Sequence, residues 1–207
     1  MTRDTLQYLS TSDTVLKRLI RDIGPCTLKP ETRRPPFQSL VLAVAHQQLN
    51  GTAAGTILRR FTKLFPKRRF PHPEDLGSVS DETLRGVGFS RAKVAAIRDI
   101  AAKTLSEVVP TSRQIARLTD DEIIARLTEV RGVGRWTAEM LLIFQLGRPD
   151  ILPADDFGVR NGFRLAYRRR EMPTAKELLA HGERWRPFRT TAAWYLWRAA
   201  DRAKKST

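Results

Sequence analysis

The apolar residues of this 207-residue chain recur at helical spacing along almost its whole length. In the first such run, Leu16, Leu19 and Ile23 share one face, Ser12 stands where a helix cap is expected, and Gly24 ends the pattern. Alternation of apolar and polar residues, the pattern typical of strands, is nearly absent. The sequence therefore predicts an all-α fold.

Two further boundaries are clear from local chemistry. Thr119 and Glu122 have the spacing of a capping box and predict the start of a helix that ends near Val130. A Pro- and Arg-rich connector, residues 29–36, precedes a buried helix that ends in the polar run His46-Gln47-Gln48. These signals divide the chain into helices joined by short loops.

Length and composition limit the class of protein. The chain is long enough for one domain or two small lobes that share a core. No run of about 18 apolar residues occurs, which excludes a membrane-spanning helix, and the N-terminus has no apolar segment typical of a secretory signal. Cys26 is the single cysteine, so an internal disulfide and a multi-cysteine metal or iron–sulfur site are excluded. We expect a reduced, intracellular protein.

The charge indicates a polyanionic partner. The formal net charge is +15 and the sequence pI is about 10.9. Residues 158–207 contain 13 Lys and Arg against 4 acidic residues, a surplus of 9 in the last quarter of the chain. A solvated basic face remains an alternative interpretation. An acidic membrane surface is a weaker one, because no long amphipathic basic helix stands apart from the globular pattern.

The tetrapeptide Arg-Gly-Val-Gly occurs twice, at residues 85–88 and 131–134. Two glycines in this spacing permit positive φ angles, and the amides that begin the next helix can accept a phosphate. For the first copy we favour the alternative, a plain helix connection. For the second we predict contacts with a backbone phosphate of the polyanionic partner, made by Gly132, Gly134, Arg135 and Thr137.

The second copy belongs to a longer pattern that resembles a known superfamily. Residues 127–138 and the sequence Leu-Pro-Ala-Asp-Asp at 152–156 are similar to the helix–hairpin–helix DNA glycosylases, and within them to the 3-methyladenine type II enzymes. Gln47-Gln48-Leu49 resembles the loop with which that family fills the gap in DNA. Residues 185–189, with Ala193 and Trp197, resemble its C-terminal Trp-Arg-Pro helix.

The matches run from about residue 37 to 198. The resemblance implies a single DNA glycosylase domain over residues 1–207, with the helix–hairpin–helix motif at about 120–147. It implies two helical lobes with the active site in the cleft between them. No room remains for the extra β lobe of some relatives, so the chain looks like a compact version.

The chemistry of such an enzyme gives particular residues a role. A base must leave the duplex to be reached, and the resemblance assigns Leu49 and Gln48 to filling the space. A core leucine is the alternative for Leu49. Cleavage of the N-glycosidic bond builds positive charge on the sugar, which a carboxylate can stabilise. By resemblance Asp156 is the catalytic residue and Asp155 supports it, although either can instead cap the next helix.

Alkylated bases carry positive charge, so an aromatic pocket suits them. The resemblance places Trp197 in this pocket together with Trp136 and Met140, and Met140 stands where a relative has an aromatic residue. That difference leaves the preferred base open. Trp136 is also an acceptable core residue.

Three functions follow, and the first is preferred. A hydrolytic glycosylase would leave an abasic site; a non-catalytic DNA-binding protein would use the hairpin and the charge alone; a bifunctional lyase would need a lysine just after the hairpin. Trp136 occupies that position, and no lysine lies between Lys103 and Lys176. We therefore expect a monofunctional enzyme.

The expected partner is double-stranded DNA with damaged bases, bound by a monomer without a membrane. We expect no cofactor and no metal site, and a monovalent cation at the hairpin is compatible with this expectation. The predicted location is the cytoplasm, at the nucleoid, or the nucleus.

Overall fold

The computed structural model describes residues 3–49 and 51–205, and all regular elements in this part of the chain are helical. The predicted all-α class is confirmed. In chain order the α-helices are α1 (Arg3–Ser12), α2 (Thr14–Ile23), α3 (Pro36–His46), α4 (Gly51–Lys63), α5 (Asp81–Gly86), α6 (Arg91–Leu105), α7 (Ser112–Ile115), α8 (Asp120–Thr128), α9 (Arg135–Phe144), α10 (Phe157–Ala166), α11 (Ala175–Gly182) and α12 (Arg189–Lys205). Two 3₁₀ turns, Glu74–Ser78 and Glu183–Trp185, complete the set.

The chain forms two compact units. One contains the residues up to Glu31 together with those from Leu142 onward, and the other is Thr32–Leu141. Helices α1, α2, α10, α11 and α12 belong to the first unit, and α3 to α8 belong to the second. Helix α9 begins in the second unit and ends in the first.

In the first unit, α10 and α12 pack against each other at close range. A β-carbon at Gly162 of α10 would collide with the backbone carbonyl of Leu196 in α12, so only glycine allows this approach. Phe163 of α10 and Tyr195 of α12 are both buried beside this contact. The close approach fixes the start of α10 relative to the middle of α12, where the candidate catalytic residues lie.

A buried carboxylate joins four elements of the same unit. Asp13 Oδ1 accepts hydrogen bonds from the amides of Val15 and Leu16 and so caps α2. Asp13 Oδ2 lies 2.5 Å from Tyr167 Oη and 3.0 Å from Trp185 Nε1. The same oxygen lies 3.2 Å from Nε2 of a histidine on α11, His181.

This network corrects one expectation and has an electrostatic consequence. The cap of α2 is Asp13 and not Ser12, because the chain makes an extra helix, α1, of which Ser12 is the last residue. Burial alone would raise the pKa of Asp13, but hydrogen bonds from His181, Tyr167 and Trp185 outweigh it and hold that pKa well below its usual range. Burial and Asp13 raise the pKa of Tyr167.

In the second unit, α3 packs on α6, and an aromatic cluster fills the space beside α4. Phe61 makes edge-to-face contacts with Phe65, Phe70 and Phe89, at centroid distances of 5.5 to 5.9 Å. The capping box at Thr119 is present as predicted, and the Thr119 amide donates to the Glu122 carboxylate at 2.7 Å. This box begins α8, the first helix of the predicted hairpin motif.

The two copies of Arg-Gly-Val-Gly do not adopt the same conformation. In the first copy Gly86 is the last residue of α5, and Gly88 has a φ of 115°. In the second copy Gly132 has a φ of 78°, and Gly134 directly precedes α9. Gly88 and Gly132 are both three residues before the next helix, so they occupy equivalent positions in the two turns. In the tetrapeptide, however, Gly88 is the fourth residue and Gly132 is the second. The repeat in structure is therefore 44 residues long, whereas the repeat in letters is 46.

The two turns also differ in the residue that directly precedes the next helix. Before α6 this residue is Ser90, whose hydroxyl accepts the Lys93 amide and caps the helix. Before α9 it is Gly134, which has no side chain with which to cap. In the part of the chain that the structure describes, no acceptor faces the amides of Gly132 and Gly134. The Gly132 amide of the second turn is thus left for an external anion, whereas the equivalent amide of the first turn, that of Gly88, donates to the Arg85 carbonyl at 2.9 Å.

We expect Gly88→Ala to lower the free energy of unfolding by at least about 1 kcal/mol, since φ is positive and the new β-carbon would lie 2.8 Å from Ile57. The control is Gly86→Ala in the same tetrapeptide, where a β-carbon meets open space and φ is not positive. Urea unfolding of both variants measures the difference. Equal losses would contradict the assignment of the strained position.

We also expect Asp13→Asn to lower the free energy of unfolding by about 2–4 kcal/mol, because an amide would turn a donor toward the donors of Tyr167 and Trp185. Asp22→Asn is the control, since its pair with Arg21 is largely exposed and contributes little.

The same network predicts a pH dependence. A carboxyl group whose pKa is depressed on folding stabilises the protein above its unfolded pKa, about 3.9, and this stability is lost as the pH falls further. Denaturation curves at several pH values below 4 should therefore fall more steeply for the wild type than for Asp13→Asn. Parallel curves would remove Asp13 as the cause.

Candidate active site and DNA interface

The segment 148–156 joins α9 to α10 and is held at its start by α12. The guanidinium of Arg189 binds the Asp150 carboxylate in two places, at 2.7 and 3.0 Å, and also donates to the Asp150 carbonyl at 2.8 Å. Thr190 Oγ1 donates to the Arg148 carbonyl and accepts the Ile151 amide. A two-point charged contact of this kind fixes direction as well as distance.

The same segment is held at its end by the candidate catalytic carboxylate. Asp156 Oδ1 accepts two hydrogen bonds of 2.8 Å, one from the Val159 amide and one from Trp197 Nε1. Asp156 is therefore the N-cap of α10, and its negative charge faces the positive end of that helix. The alternatives of catalysis and capping do not exclude each other, because one carboxylate can do both.

Asp155 has a different environment from its neighbour. It is exposed and lies outside the cap of α10. An exposed carboxylate next to the capping one can add to the local negative potential without being held in one direction. This placement is compatible with the predicted supporting role.

Trp197 is fixed by three contacts within the first unit. Its indole N–H is bound to Asp156, and its ring stacks on Phe144 at a centroid distance of 5.7 Å and an angle of 29°. A β-carbon at Gly158 would lie 2.8 Å from the indole ring, so the glycine allows α10 to approach it. The predicted pocket tryptophan and the predicted catalytic carboxylate are thus brought together.

Two aromatic residues near this point were missed by sequence reasoning. Phe144 is 37 % exposed, and its helical spacing from Met140 favours a core position when read alone. Phe157, directly after Asp156, is 64 % exposed. A large, exposed apolar side chain is a candidate binding residue, but its exposure can be seen only in the folded structure.

The Trp-Arg-Pro motif has a structural task. Trp185 is fully buried and donates to Asp13, and Arg186 and Arg189 both bind Asp150. The peptide bond between Arg186 and Pro187 is cis. The motif therefore fastens the start of α12 to the segment that leads to Asp156.

In the second unit, the hairpin turn 131–134 is anchored on α6. The Arg131 amide donates to Asp99 Oδ2 at 2.7 Å, and Lys103 donates to the Glu129 carbonyl. A β-carbon at Gly132 would lie 3.2 Å from that of Ala96 on the same helix. The turn is thus held from behind.

The predicted phosphate-binding residues at the start of α9 differ in exposure. Arg135 is 61 % exposed in its side chain and pairs with the buried Glu139 at 3.0 Å. Thr137 is 6 % exposed, so its backbone amide, rather than its hydroxyl, is the group that the first turn of α9 can offer. Trp136 is 47 % exposed and Met140 is half-buried in the same helix.

The loop 46–49 lies against this turn. Gln47 Nε2 donates to the Gly132 carbonyl at 3.0 Å, which joins the predicted gap-filling loop to the predicted hairpin. Gln48 has a φ of 57°, and Leu49 is 39 % exposed. The alternative that Leu49 is a core leucine is wrong, since the described core does not contain it.

Two features of the described residues concern metal binding and membranes. Residues 3–49 and 51–205 contain no group of three or more His, Cys, Asp or Glu side chains placed to hold a metal ion. No helix among them is long and apolar enough to cross a membrane.

Comparison with known proteins places the chain. The model for HhH-GPD superfamily base excision DNA repair proteins matches residues 41–187. The structure is similar to 3-methyladenine DNA glycosylase Mag1 of Schizosaccharomyces pombe in complex with abasic DNA, at 42 % identity and a TM-score of 0.82, over 94 % of this chain and 95 % of that one.

Two further relatives agree. The DNA-3-methyladenine glycosidase of Bacillus halodurans is similar at 33 % identity and a TM-score of 0.87, over 99 % of this chain and 92 % of the other. The alkylbase DNA glycosidase-like protein mag2 of S. pombe is 34 % identical over 92 % of this chain and 90 % of its own length. By fold, by the matched residues and by these relatives, this chain belongs to the HhH-GPD superfamily of base excision DNA repair proteins.

Proposed function

We infer that this chain is a monofunctional DNA glycosylase that excises alkylated bases by hydrolysis and leaves an abasic site. The observation that carries this function is the Asp156 carboxylate, held by the Trp197 indole at the start of α10 in a chain of net charge +15. An acidic group repels DNA phosphate, so its fixed position in a basic protein calls for a chemical reason. Stabilisation of a cationic sugar is such a reason.

The reaction follows from this placement. The damaged nucleotide leaves the duplex, and the bond between C1′ and the base nitrogen breaks, with its electron pair departing on the base. The carboxylate of Asp156 offsets the positive charge that develops on the sugar. Water then adds to C1′ and loses a proton. A base such as 3-methyladenine or 7-methylguanine already carries positive charge, so it needs little acid catalysis to leave.

The remaining residues serve binding. The amides of Gly132 and Gly134, with Arg135, grip a backbone phosphate, while Leu49 and Gln48 fill the vacated space. Trp197, Trp136 and Met140 are the residues proposed to contact the base, and a cationic ring suits the tryptophans. Asp155 adds negative potential beside Asp156. The reaction needs no cofactor, and the enzyme acts as a monomer on double-stranded DNA.

The names of the relatives support the substrate class. Mag1 is a 3-methyladenine DNA glycosylase whose structure is in complex with abasic DNA, the product type that hydrolysis leaves. The Bacillus halodurans relative is a DNA-3-methyladenine glycosidase. The position just after the hairpin is Trp136 and not an amine, which supports hydrolysis by water and not a covalent imine.

We expect Asp156→Asn to reduce base release from methylated duplex DNA by at least about a hundredfold, because an amide cannot offset the developing positive charge. The fold and the affinity for DNA should be kept, since asparagine also caps helices and can accept the Trp197 N–H. Asp155→Asn is the matched control and should retain activity within about tenfold. Near wild-type excision by Asp156→Asn, measured in single-turnover assays, would remove Asp156 from the mechanism.

We also expect borohydride to trap no covalent adduct between the wild-type protein and DNA that it has processed, since an imine requires an amine beside the sugar. Electrophoresis of the reduced mixture measures this, with a glycosylase that is also a lyase as the positive control. A strong trapped band in the wild-type lane would show that another amine of the chain reaches the abasic site.

A further inference from the structure

Within the second unit, the side chain of Lys93 on α6 binds the end of α3. Its ammonium group donates to the Ala45 carbonyl at 2.9 Å and to the Gln47 carbonyl at 2.8 Å. The side chain is partly buried, and burial lowers the pKa of Lys93. A cation is the group best suited to this position, because the last carbonyls of a helix lack partners in the helix and form its negative end.

The carbonyls that Lys93 binds lead directly into the loop 46–49. Immediately after Gln47, the backbone of Gln48 adopts a φ of 57°, a conformation that non-glycine residues adopt rarely and that needs support from its surroundings. The Leu49 amide then turns back to the His46 carbonyl at 3.2 Å, and the side chain of Leu49 is left exposed. The direction of Leu49 thus depends on where the end of α3 is held.

Lys93 is also connected to the hairpin through a single residue. Gln47 accepts from Lys93 through its carbonyl and donates to the Gly132 carbonyl through its side-chain amide. Farther along α6, Asp99 accepts the Arg131 amide at 2.7 Å. One helix therefore sets the position of both the gap-filling loop and the phosphate-binding turn.

We propose that Lys93 is a positioning residue for base extrusion, which sets the direction of Leu49 by binding the carbonyls of Ala45 and Gln47. This inference rests on the proposed function of Leu49 in filling the gap in DNA. Lys93 does not touch the DNA in this role; it acts through the loop, and Gln47 transmits its position to the hairpin. The first turn of the duplicated pair then has an indirect function, since it begins the helix that carries Lys93.

The test compares three substitutions and one double variant. Lys93→Met keeps a side chain of similar length but cannot donate. Arg91→Met removes the same charge from an exposed position two residues earlier on α6 and is the control for a general loss of attraction to DNA. Leu49→Ala removes the side chain that Lys93 is proposed to position, and the double variant joins it to Lys93→Met.

Two assays are used on each protein. One measures single-turnover release of 7-methylguanine at saturating enzyme. The other measures the fluorescence of 2-aminopurine placed beside a stable abasic analogue, which reports insertion into the stack and needs no chemistry. We expect Lys93→Met to lower the release rate about tenfold and to reduce the increase in 2-aminopurine fluorescence by more than half. The dissociation constant for undamaged duplex should stay within about twofold of the wild-type value. In the Leu49→Ala background the same substitution should change release by no more than about twofold, because residues that act as one unit are not additive.

Three results would overturn the proposal. The first is no change in fluorescence with Lys93→Met, and the second is an equal effect of Arg91→Met. The third is a double variant whose loss of release rate equals the product of the losses from Lys93→Met and Leu49→Ala. If Lys93→Met does not fold, Lys93→Gln retains a neutral N–H donor group and is used in the same comparison, with a smaller loss expected. The proposed enzymatic function is tested separately. Absence of base release by the wild type would remove the glycosylase activity, whereas the fluorescence comparison would still decide the role of Lys93.

Discussion

The candidate active site depends on the contact between α12 and the segment 148–156. Arg189 and Thr190 hold the beginning of this segment, and Trp197, two helical turns later, holds its end at Asp156. One rigid helix therefore spaces the two ends, and the loop between them does not need regular structure of its own. Because Gly162 allows α10 to lie directly on α12, the helix that Asp156 caps is fixed by the same support.

In the proposed mechanism, Asp156 serves both the stability of α10 and the chemistry. Its Oδ1 atom accepts the Val159 amide and the Trp197 indole, which gives the carboxylate a defined direction. A carboxylate at a helix N-terminus is favoured electrostatically, and this offsets part of the cost of keeping an acid in a basic protein. The charge proposed for catalysis is thus kept in place by ordinary helix capping.

The second unit has a corresponding support in α6. Asp99 and Lys103 fasten the hairpin turn to it, and Lys93 fastens the end of α3. Both copies of the duplicated tetrapeptide lie next to this helix or lead into it, but they differ in structure. The first copy leads to a helix capped by Ser90, and the second leads to a helix preceded by Gly134. The Gly88 amide is paired with the Arg85 carbonyl inside the first turn, whereas the equivalent Gly132 amide of the second turn is left for an external acceptor.

Much of the architecture follows from the sequence alone. Helical spacing, the capping box at Thr119 and the lack of alternating patterns are local signals, because they depend on residues within one or two turns of each other. The superfamily, too, is readable from motifs that stand in the sequence. The sequence alone also shows that the residue directly after the hairpin is Trp136 and not a lysine.

Other features were decided by tertiary structure, since they join residues distant along the chain. The sequence could not show that Asp13 meets Tyr167 and Trp185, more than 150 positions away, nor that α1 makes Ser12 a helix end. It could not distinguish Gly88 from Gly86, because the sign of φ depends on which helix ends where. The stacking of Phe144 on Trp197 and the grip of Lys93 on α3 are of the same kind: side-chain patterns predict which face of a helix is apolar, but only the packing of helices decides which residue meets which.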